Sequence, residues 1–210
     1  MTGAPDDLLA RWVAARSVAR GLPAPVADRG GWRVDTASEA ELCRWVFPRV
    51  GEGLRELGRE VVEPRRLIKL CGTVAELADA LPDTWQVENT GAFMRFAGNH
   101  GAPALPKGYR LHVQTTGEII FAAIHHGEDE VASGYGAGKD GAFVFDRIKV
   151  DPAHRRRGLA SALIAALGAR SGERHQLLVA SIEGIPLYRH LGWDLLSHYA
   201  TAQIPARARA

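Results

Sequence analysis

Three consecutive arginines followed by a glycine form the densest group of chemically competent residues in the sequence: Arg155, Arg156, Arg157 and Gly158. A helix that begins here would offer unpaired N–H groups and a partial positive charge, both of which favour a phosphate. Gly158 has no Cβ, so an oxygen could approach the main chain closely, while the arginines supply charge and donor forks. The ligand that such a junction would suit best is a diphosphate.

The residues on either side of this junction predict the elements that hold it. Residues 143–150 are rich in β-branched and aromatic side chains and predict a strand, which the following Asp-Pro pair ends because proline cannot donate to a sheet. Beyond the junction, Leu159, Leu163 and Leu167 recur every four residues, which is typical of the buried stripe of a helix. The predicted order is strand, turn, helix.

Two motifs in this part of the chain match a known family. The run Arg155-Arg-Arg-Gly-Leu-Ala160 resembles the acetyl-coenzyme A signature Q/R-x-x-G-x-G/A of the GNAT N-acetyltransferases, and Leu187-Tyr-Arg-His-Leu-Gly-Trp193 is similar to the family's L-Y-x-x-L-G-F/W segment. The resemblance covers roughly residues 109–204. It implies a GNAT-type α/β fold, with a mixed, mostly antiparallel central β-sheet flanked by helices and, here, an N-terminal α/β extension.

The resemblance also implies where acetyl-coenzyme A, the acyl-donor substrate, would bind. The pantetheine arm would run along the signature strand, and the diphosphate would lie on the turn that follows it. The residues implied in binding are Ile148, Lys149, Val150, Arg155, Arg156, Arg157, Gly158, Leu159, Ala160 and Ser161. Ser181 stands where relatives often have an asparagine that touches the pantetheine.

Tyr188 occupies the position where the family places a tyrosine that protonates the thiolate leaving group. A phenol with a pKa near 10 keeps its proton at neutral pH and suits this role. The structural alternative is an aromatic side chain that only packs its helix on the sheet.

The general base is less well defined, and Asp146 on the signature strand is the first candidate. Strict alternation along a strand would place it on the same face as Ile148 and Val150. Its alternative role is a salt bridge with a neighbouring arginine. A base acting through water, or one of Glu183, His125 and His126, stays open, whereas the neutral Gln176 cannot serve.

The rest of the chain predicts a second, N-terminal region and a meander. A linker at 97–107, rich in glycine and proline, separates an accessory or degenerate mixed α/β region, 1–105, from the acetyl-coenzyme A-binding domain, 106–210. In the first region we predict helices at 8–20, from Ser38 to Pro48, around 54–57 and at 74–81, and extended segments at 32–36, 66–71 and 85–96. Closely spaced strands at 109–115, 118–126 and 130–135 predict an antiparallel meander.

Bulk properties exclude several classes of protein. The chain has 210 residues and a net charge of +2, which argues against a dedicated nucleic-acid or membrane-surface protein. Cys43 and Cys71 have no metal-like or redox-like spacing, and the adjacent His125 and His126 would point to opposite faces of a strand, so we expect no metal site. Without a membrane-spanning run or a signal-peptide pattern, we expect a cytoplasmic protein, and a homodimer stays open.

The sequence therefore favours an N-acetyltransferase that moves an acetyl group from acetyl-coenzyme A to a primary amine, by direct attack on the thioester. The acceptor, a small molecule or a peptide, is not specified. One alternative is a non-catalytic acyl-coenzyme A sensor of the same fold. Another is a nucleic-acid binder using the three arginines, whose binding would depend steeply on salt.

Overall fold

A computed structural model describes residues 3–101 and 104–205, and its eleven strands form one sheet in the order β1-β2-β3-β4-β11-β5-β10-β9-β8-β7-β6. The strands are β1 (Val26–Asp28), β2 (Gly31–Asp35), β3 (Cys43–Phe47), β4 (Arg66–Cys71), β5 (Gln86–Phe96), β6 (Tyr109–Thr116), β7 (Ile119–His126), β8 (Asp129–Lys139), β9 (Ala142–Val150), β10 (His175–Ala180) and β11 (Trp193–Gln203). The helices are α1 (Asp6–Ala19), α2 (Glu52–Glu60), α3 (Val74–Ala78), α4 (Leu159–Gly168) and α5 (Ile185–His190), with a short 3-10 turn at Pro152–His154.

Only two neighbouring pairs in the sheet are parallel, β3 with β4 and β9 with β10. Each pair is joined through a helix, α2 in the first case and α4 in the second, as parallel strands require a crossover. All other pairs are antiparallel, including the β6–β9 meander. The mixed, mostly antiparallel α/β fold expected from the sequence is confirmed.

Helix α1 covers one face of the sheet and the other helices cover the opposite face. On β5, Phe93 packs in the cluster of α1 side chains, whereas its neighbour Met94 packs with α4 and α5. On β11, Tyr199 lies in the α1 cluster and Ala200 in that of α2 and α3. Because adjacent strand residues point to opposite faces, α1 is the only helix of the described residues on its side of the sheet. None of the helices in the described ranges has both the length and the apolar composition needed to span a bilayer.

The order of strands and helices in the first half of the chain repeats in the second half. The last strand of each of these two runs pairs with a strand of the other run. Strands β1–β4 with α2 and α3 lead to β5, and β7–β10 with α4 and α5 lead to β11 in the same order. However, β5 pairs with β10 of the second run, and β11 pairs with β4 of the first. The two exchanged strands also pair with each other and form the centre of the sheet. The predicted division into 1–105 and 106–210 stays a prediction.

One predicted helix is wrong. The Ser38–Glu41 pattern forms a tight turn, in which the Glu41 N–H donates to Ser38 Oγ at 3.0 Å, and the residues after it form β3. All five residues of β3 are buried, so their apolar run reflects a strand covered on both faces rather than one stripe of a helix. The capping box lies instead between Thr73 and Glu76 at the start of α3.

The remaining predicted elements are confirmed with small shifts of their ends. Helices α1 and α2, the strands β2, β4 and β5 of the N-terminal region, the meander and the strand-turn-helix of β9 and α4 lie where the sequence placed them. The predicted linker contains no helix or strand in its described part, and its residues 102 and 103 lie outside the described residues.

Gly91 is required for the close packing of the sheet centre. Its φ is +147°, and a Cβ here would lie 1.7 Å from the carbonyl oxygen of Ala180. We expect Gly91→Ala to destabilise the protein by about 2–4 kcal/mol, which would lower the melting temperature by roughly 5–15 °C for a chain of this size. Gly101→Ala, whose Cβ would meet no atom within 4 Å, is the control for calorimetric or circular-dichroism melting. Equal melting temperatures for the two variants would contradict the packing role of Gly91.

Candidate functional site

A groove opens in the second half of the sheet because two parallel strands diverge. Strands β9 and β10 pair at only three positions, ending at Val144 with Leu177. Beyond this point the two strands separate, and main-chain groups of the later part of β9 lose their neighbour on this side. The equivalent strands of the first half, β3 and β4, stay paired over five positions as far as Phe47 and Leu70.

A β-bulge interrupts β9 inside this groove. Arg147 has a φ of +54°, and Arg147 and Ile148 together stand opposite the single residue Gly134 of β8. Asp146 therefore faces α1, whereas Ile148 and Val150 pack against the cluster of α4 and α5. The expectation that these three side chains share one face is wrong, because the extra residue reverses the alternation.

The turn between β9 and α4 presents a row of main-chain donors. Arg156 and Gly158 both have positive φ, +60° and +76°, in the left-handed region. The first N–H bonded within this end of α4 is that of Ala162, which donates to the Gly158 carbonyl at 3.0 Å, so the N–H groups before it have no partner in the helix. Residues 155–158 are exposed, and a Cβ on Gly158 would meet no atom within 4 Å. The N–H groups of residues 156–161 can therefore bind an anion, whereas those of Asp151, Ala153, His154 and Arg155 already donate within the protein.

The groove runs without a break from this turn to helix α1. Its two parts have volumes of about 620 Å³ and 340 Å³. Six residues line both parts: Ile148, Val150, Ala160, Ser181, Gly184 and Leu187. All the cofactor-binding residues predicted from the sequence except Arg157 line the groove, and Arg157 is exposed on the same turn.

The polar side chains of the groove differ in their hydrogen bonding and in their exposure to solvent. Ser181 Oγ accepts the Gly184 N–H at 3.2 Å, which leaves the hydroxyl proton for another acceptor. Lys149 points into solvent with a side chain that is 73% exposed, and its Nζ lies 3.8 Å from a carboxylate oxygen of Glu130. Lys149 thus borders the groove without being enclosed by it.

Tyr188 is a buried residue of the groove. It is 8% exposed, and its ring packs edge-on against Trp193, with 5.8 Å between ring centroids. Within the described ranges its hydroxyl makes no hydrogen bond, and the residue lines the part of the groove next to α1. Burial raises the pKa of Tyr188 to about 12, so the phenol keeps its proton at neutral pH.

Asp146 is held by arginines. Arg20 binds it through two hydrogen bonds of 2.7 and 2.9 Å, and Arg147 Nε donates to it at 3.1 Å. The carboxylate is 8% exposed. The salt bridge that the sequence offered as the alternative role is therefore present, and it joins α1 to β9 across the groove.

The other candidate bases are differently placed. Gln176 is bonded to His100, and Glu183 is exposed on the rim of the groove. His126 packs against the ring of Tyr109 at the edge of the meander, with 4.7 Å between centroids. His125 pairs with β6 and β8. Of the described residues, no three or more His, Cys, Asp or Glu are grouped so that they could hold a metal ion.

Two residues of the groove were missed from the sequence, Arg16 and Arg20 of α1. They follow Trp12 at intervals of four, so all three lie on one face of the helix and line the groove. This spacing was the available signal. It could not be used because nothing in the sequence indicated that an N-terminal helix packs on the signature strand.

Residues 116–195 match the family model described as an acetyltransferase (GNAT) domain. A GCN5-related N-acetyltransferase from Kribbella flavida superposes with a TM-score of 0.67 at 15% identity, over 95% of this chain and 96% of that chain. One from Sphaerobacter thermophilus gives a TM-score of 0.61 at 14% identity, over 99% and 96%.

A tandem GNAT protein from the clavulanic acid biosynthesis pathway gives a TM-score of 0.54 at 15% identity, over 85% of this chain and 80% of that chain. No curated protein matches the chain. The structural likenesses extend over both halves of the chain and show the fold, while the family model matches a range that includes β9, α4 and α5.

Proposed function

We propose that the protein transfers an acetyl group from acetyl-coenzyme A to a primary amine, because residues 116–195 match the GNAT acetyltransferase domain model and the chain has the fold of GNAT structures. The observation that carries this proposal is the groove that joins a phosphate-binding turn to the free hydroxyl of Tyr188. A carrier with a diphosphate at one end and a thioester at the other fits such a groove.

In this proposal the turn at 155–161 binds the diphosphate. The N–H groups at the start of α4 and the side chains of Arg156 and Arg157 supply donors and charge, and these two side chains make no hydrogen bond or ion pair to other described residues. The pantetheine arm follows the part of β9 that has lost its neighbour, beside Ile148, Lys149 and Val150. A main-chain N–H of this segment then polarises the thioester carbonyl.

The chemical step is a direct attack of the neutral amine on the thioester carbon. A C–N bond forms, the C–S bond breaks, and the thiolate takes a proton from the Tyr188 hydroxyl. The nitrogen loses its extra proton to water, and this proton finally restores the tyrosine. We assign Asp146 the role of positioning α1 against β9 rather than that of base, because Arg20 and Arg147 already occupy its oxygens.

The test is release of free thiol. Purified protein given acetyl-coenzyme A and a panel of primary amines is expected to release coenzyme A and to form the acetylated amine. Thiol titration measures the first product and mass spectrometry detects the second. Calorimetry with coenzyme A separates the alternatives. Tight binding without turnover on the whole panel would favour the sensor, and absence of both would overturn the assignment of the groove.

A further inference from the structure

Three guanidinium groups surround a single carboxylate in the part of the groove next to α1. Arg16 and Arg20 come from α1, Arg147 from the bulge of β9, and the carboxylate is that of Asp146. All four residues line the same part of the groove as the tyrosine. This part of the groove therefore carries an excess of positive charge.

The hydrogen bonds of Asp146 are made by two of the three arginines. Arg20 donates to both carboxylate oxygens, and Arg147 Nε donates to one of them. Arg16 Nε lies 3.6 Å from the carboxylate, which is an ion pair without a hydrogen bond. Its guanidinium also lies 5.3 Å from the ring centroid of Trp12. In the ranges 3–101 and 104–205, Arg16 donates no hydrogen bond.

Burying the charged guanidinium of Arg16 destabilises the protein unless an anion in addition to Asp146 pairs with it. Its side chain is only 21% exposed. Burial lowers the pKa of Arg16 to about 10, the positive charges of Arg44 and Arg20 act in the same direction, and Asp146 only partly offsets them. The group is still a cation at neutral pH. A buried cation with unused donors is stabilised by an anion that brings hydrogen-bond acceptors.

We propose that the acceptor amine of the reaction carries a carboxylate, and that Arg16 binds this carboxylate through its free donor fork. The proposal rests on the proposed function and names its substrate class. A guanidinium matches a carboxylate in shape, as Arg20 and Asp146 already illustrate at this site. Arg20 and Arg147 add charge without needing to contact the acceptor.

The same charges also favour the reactive form of the acceptor. Neighbouring cations lower the pKa of an ammonium group, so the bound amine is more often neutral and nucleophilic. The carboxylate supplies the attraction that keeps the amine in a positively charged site. One cluster thus selects the acceptor and prepares it for attack, without a dedicated base.

The test compares matched acceptors that differ only in the anion. A panel of α-amino acids is assayed against the corresponding carboxamides, with rates expressed per neutral amine, and phosphoethanolamine is assayed against ethanolamine. The best amino acid is expected to exceed its amide in kcat/KM by about 10-fold to 100-fold. Equal values for acid and amide, or a preference for the amide, would contradict a carboxylate on the acceptor, and so would a larger gain of phosphoethanolamine over ethanolamine than of the amino acid over its amide.

Substitution of Arg16 assigns the effect to a residue. Arg16→Gln is expected to remove most of the preference for acids, by raising KM for the amino acid more than KM for its amide, and Arg16→Lys should restore this preference in part. Arg11→Gln is the control, because Arg11 lies on the same helix and lines a different cavity. The acid preference of the control is expected to equal that of the original protein, and an equal loss in both variants would contradict the role of Arg16.

A binding measurement separates the two proposals. In ligand-observed NMR with coenzyme A present, N-acetyl amino acids are expected to bind the original protein and not Arg16→Gln. If no amine is turned over but this difference in binding persists, the acetyltransferase is wrong and the anion site stands. If amines are turned over but N-acetyl amino acids bind both proteins equally, the anion site is wrong and the acetyltransferase stands.

Discussion

Replacing Tyr188 with phenylalanine is expected to lower kcat by about 10²-fold and to leave the Kd for coenzyme A unchanged. The phenylalanine keeps the ring that packs against Trp193, so the fold loses only a hydroxyl that has no hydrogen-bond partner among the described residues. What the variant lacks is the proton for the departing thiolate. Steady-state kinetics with calorimetry of coenzyme A measures both quantities.

The pH profile gives a second readout of the same tyrosine. Burial raises the pKa of Tyr188 to about 12, so the acid stays protonated from pH 7 to 10. Deprotonation of Tyr188 is therefore not expected to lower the activity between pH 7 and 10.

Tyr109→Phe is the control for the substitution of Tyr188, since Tyr109 is also buried but its hydroxyl is bonded to His154 at 2.8 Å. That variant should lose stability without the loss of kcat, and full activity of Tyr188→Phe would refute the acid role.

Replacing Gly158 with alanine is expected to raise the Kd for acetyl-coenzyme A by about 5-fold to 30-fold. The φ of +76° costs an ordinary residue roughly 1–2 kcal/mol, so the unliganded turn would relax away from the conformation that presents its N–H groups. The added methyl group would also stand in the open space through which a diphosphate approaches. At saturating cofactor, kcat should change little.

Gly127→Ala is the matched control for this strain. Gly127 lies in the hairpin between β7 and β8 with a φ of +64°, and its Cβ would likewise meet no atom within 4 Å. The two variants should lose comparable stability in thermal melting, but only Gly158→Ala should lose affinity for coenzyme A. Equal affinities in the two variants would show that the turn at 155–161 does not bind the cofactor.

The strand-turn-helix around Gly158 could be predicted from sequence because its signals are local. The β-branched run, the Asp-Pro stop and the leucine spacing each depend on neighbours within a few residues, and each agrees with the structure at β9 and α4. The same holds for the meander, where glycines separate short strands. Local signals of this kind are sufficient when tertiary packing does not oppose them.

The features that could not be predicted depend on distant contacts. The bulge at Arg147 needs the space above Gly134, where a Cβ would lie 2.3 Å from a methyl carbon of Ile148. The strand β3 is covered on one face by α1 and on the other by α2 and α3, so its residues are apolar without alternation. The sequence shows this apolar run but not the distant helices that cover it, and the run is therefore misread as a helix. The ion pairs of Asp146 with Arg16 and Arg20 join residues that are far apart along the chain.

The exchange of β5 and β11 has a consequence for the order of folding during synthesis. β11 fills the position between β4 and β5, so before the ribosome has made it, both of these strands have an unpaired edge. The N-terminal half is therefore not a unit that can finish folding as it emerges. It must wait for β11, the last strand of the second half, and a nascent chain stalled before residue 193 would offer those two edges to chaperones or to other nascent chains.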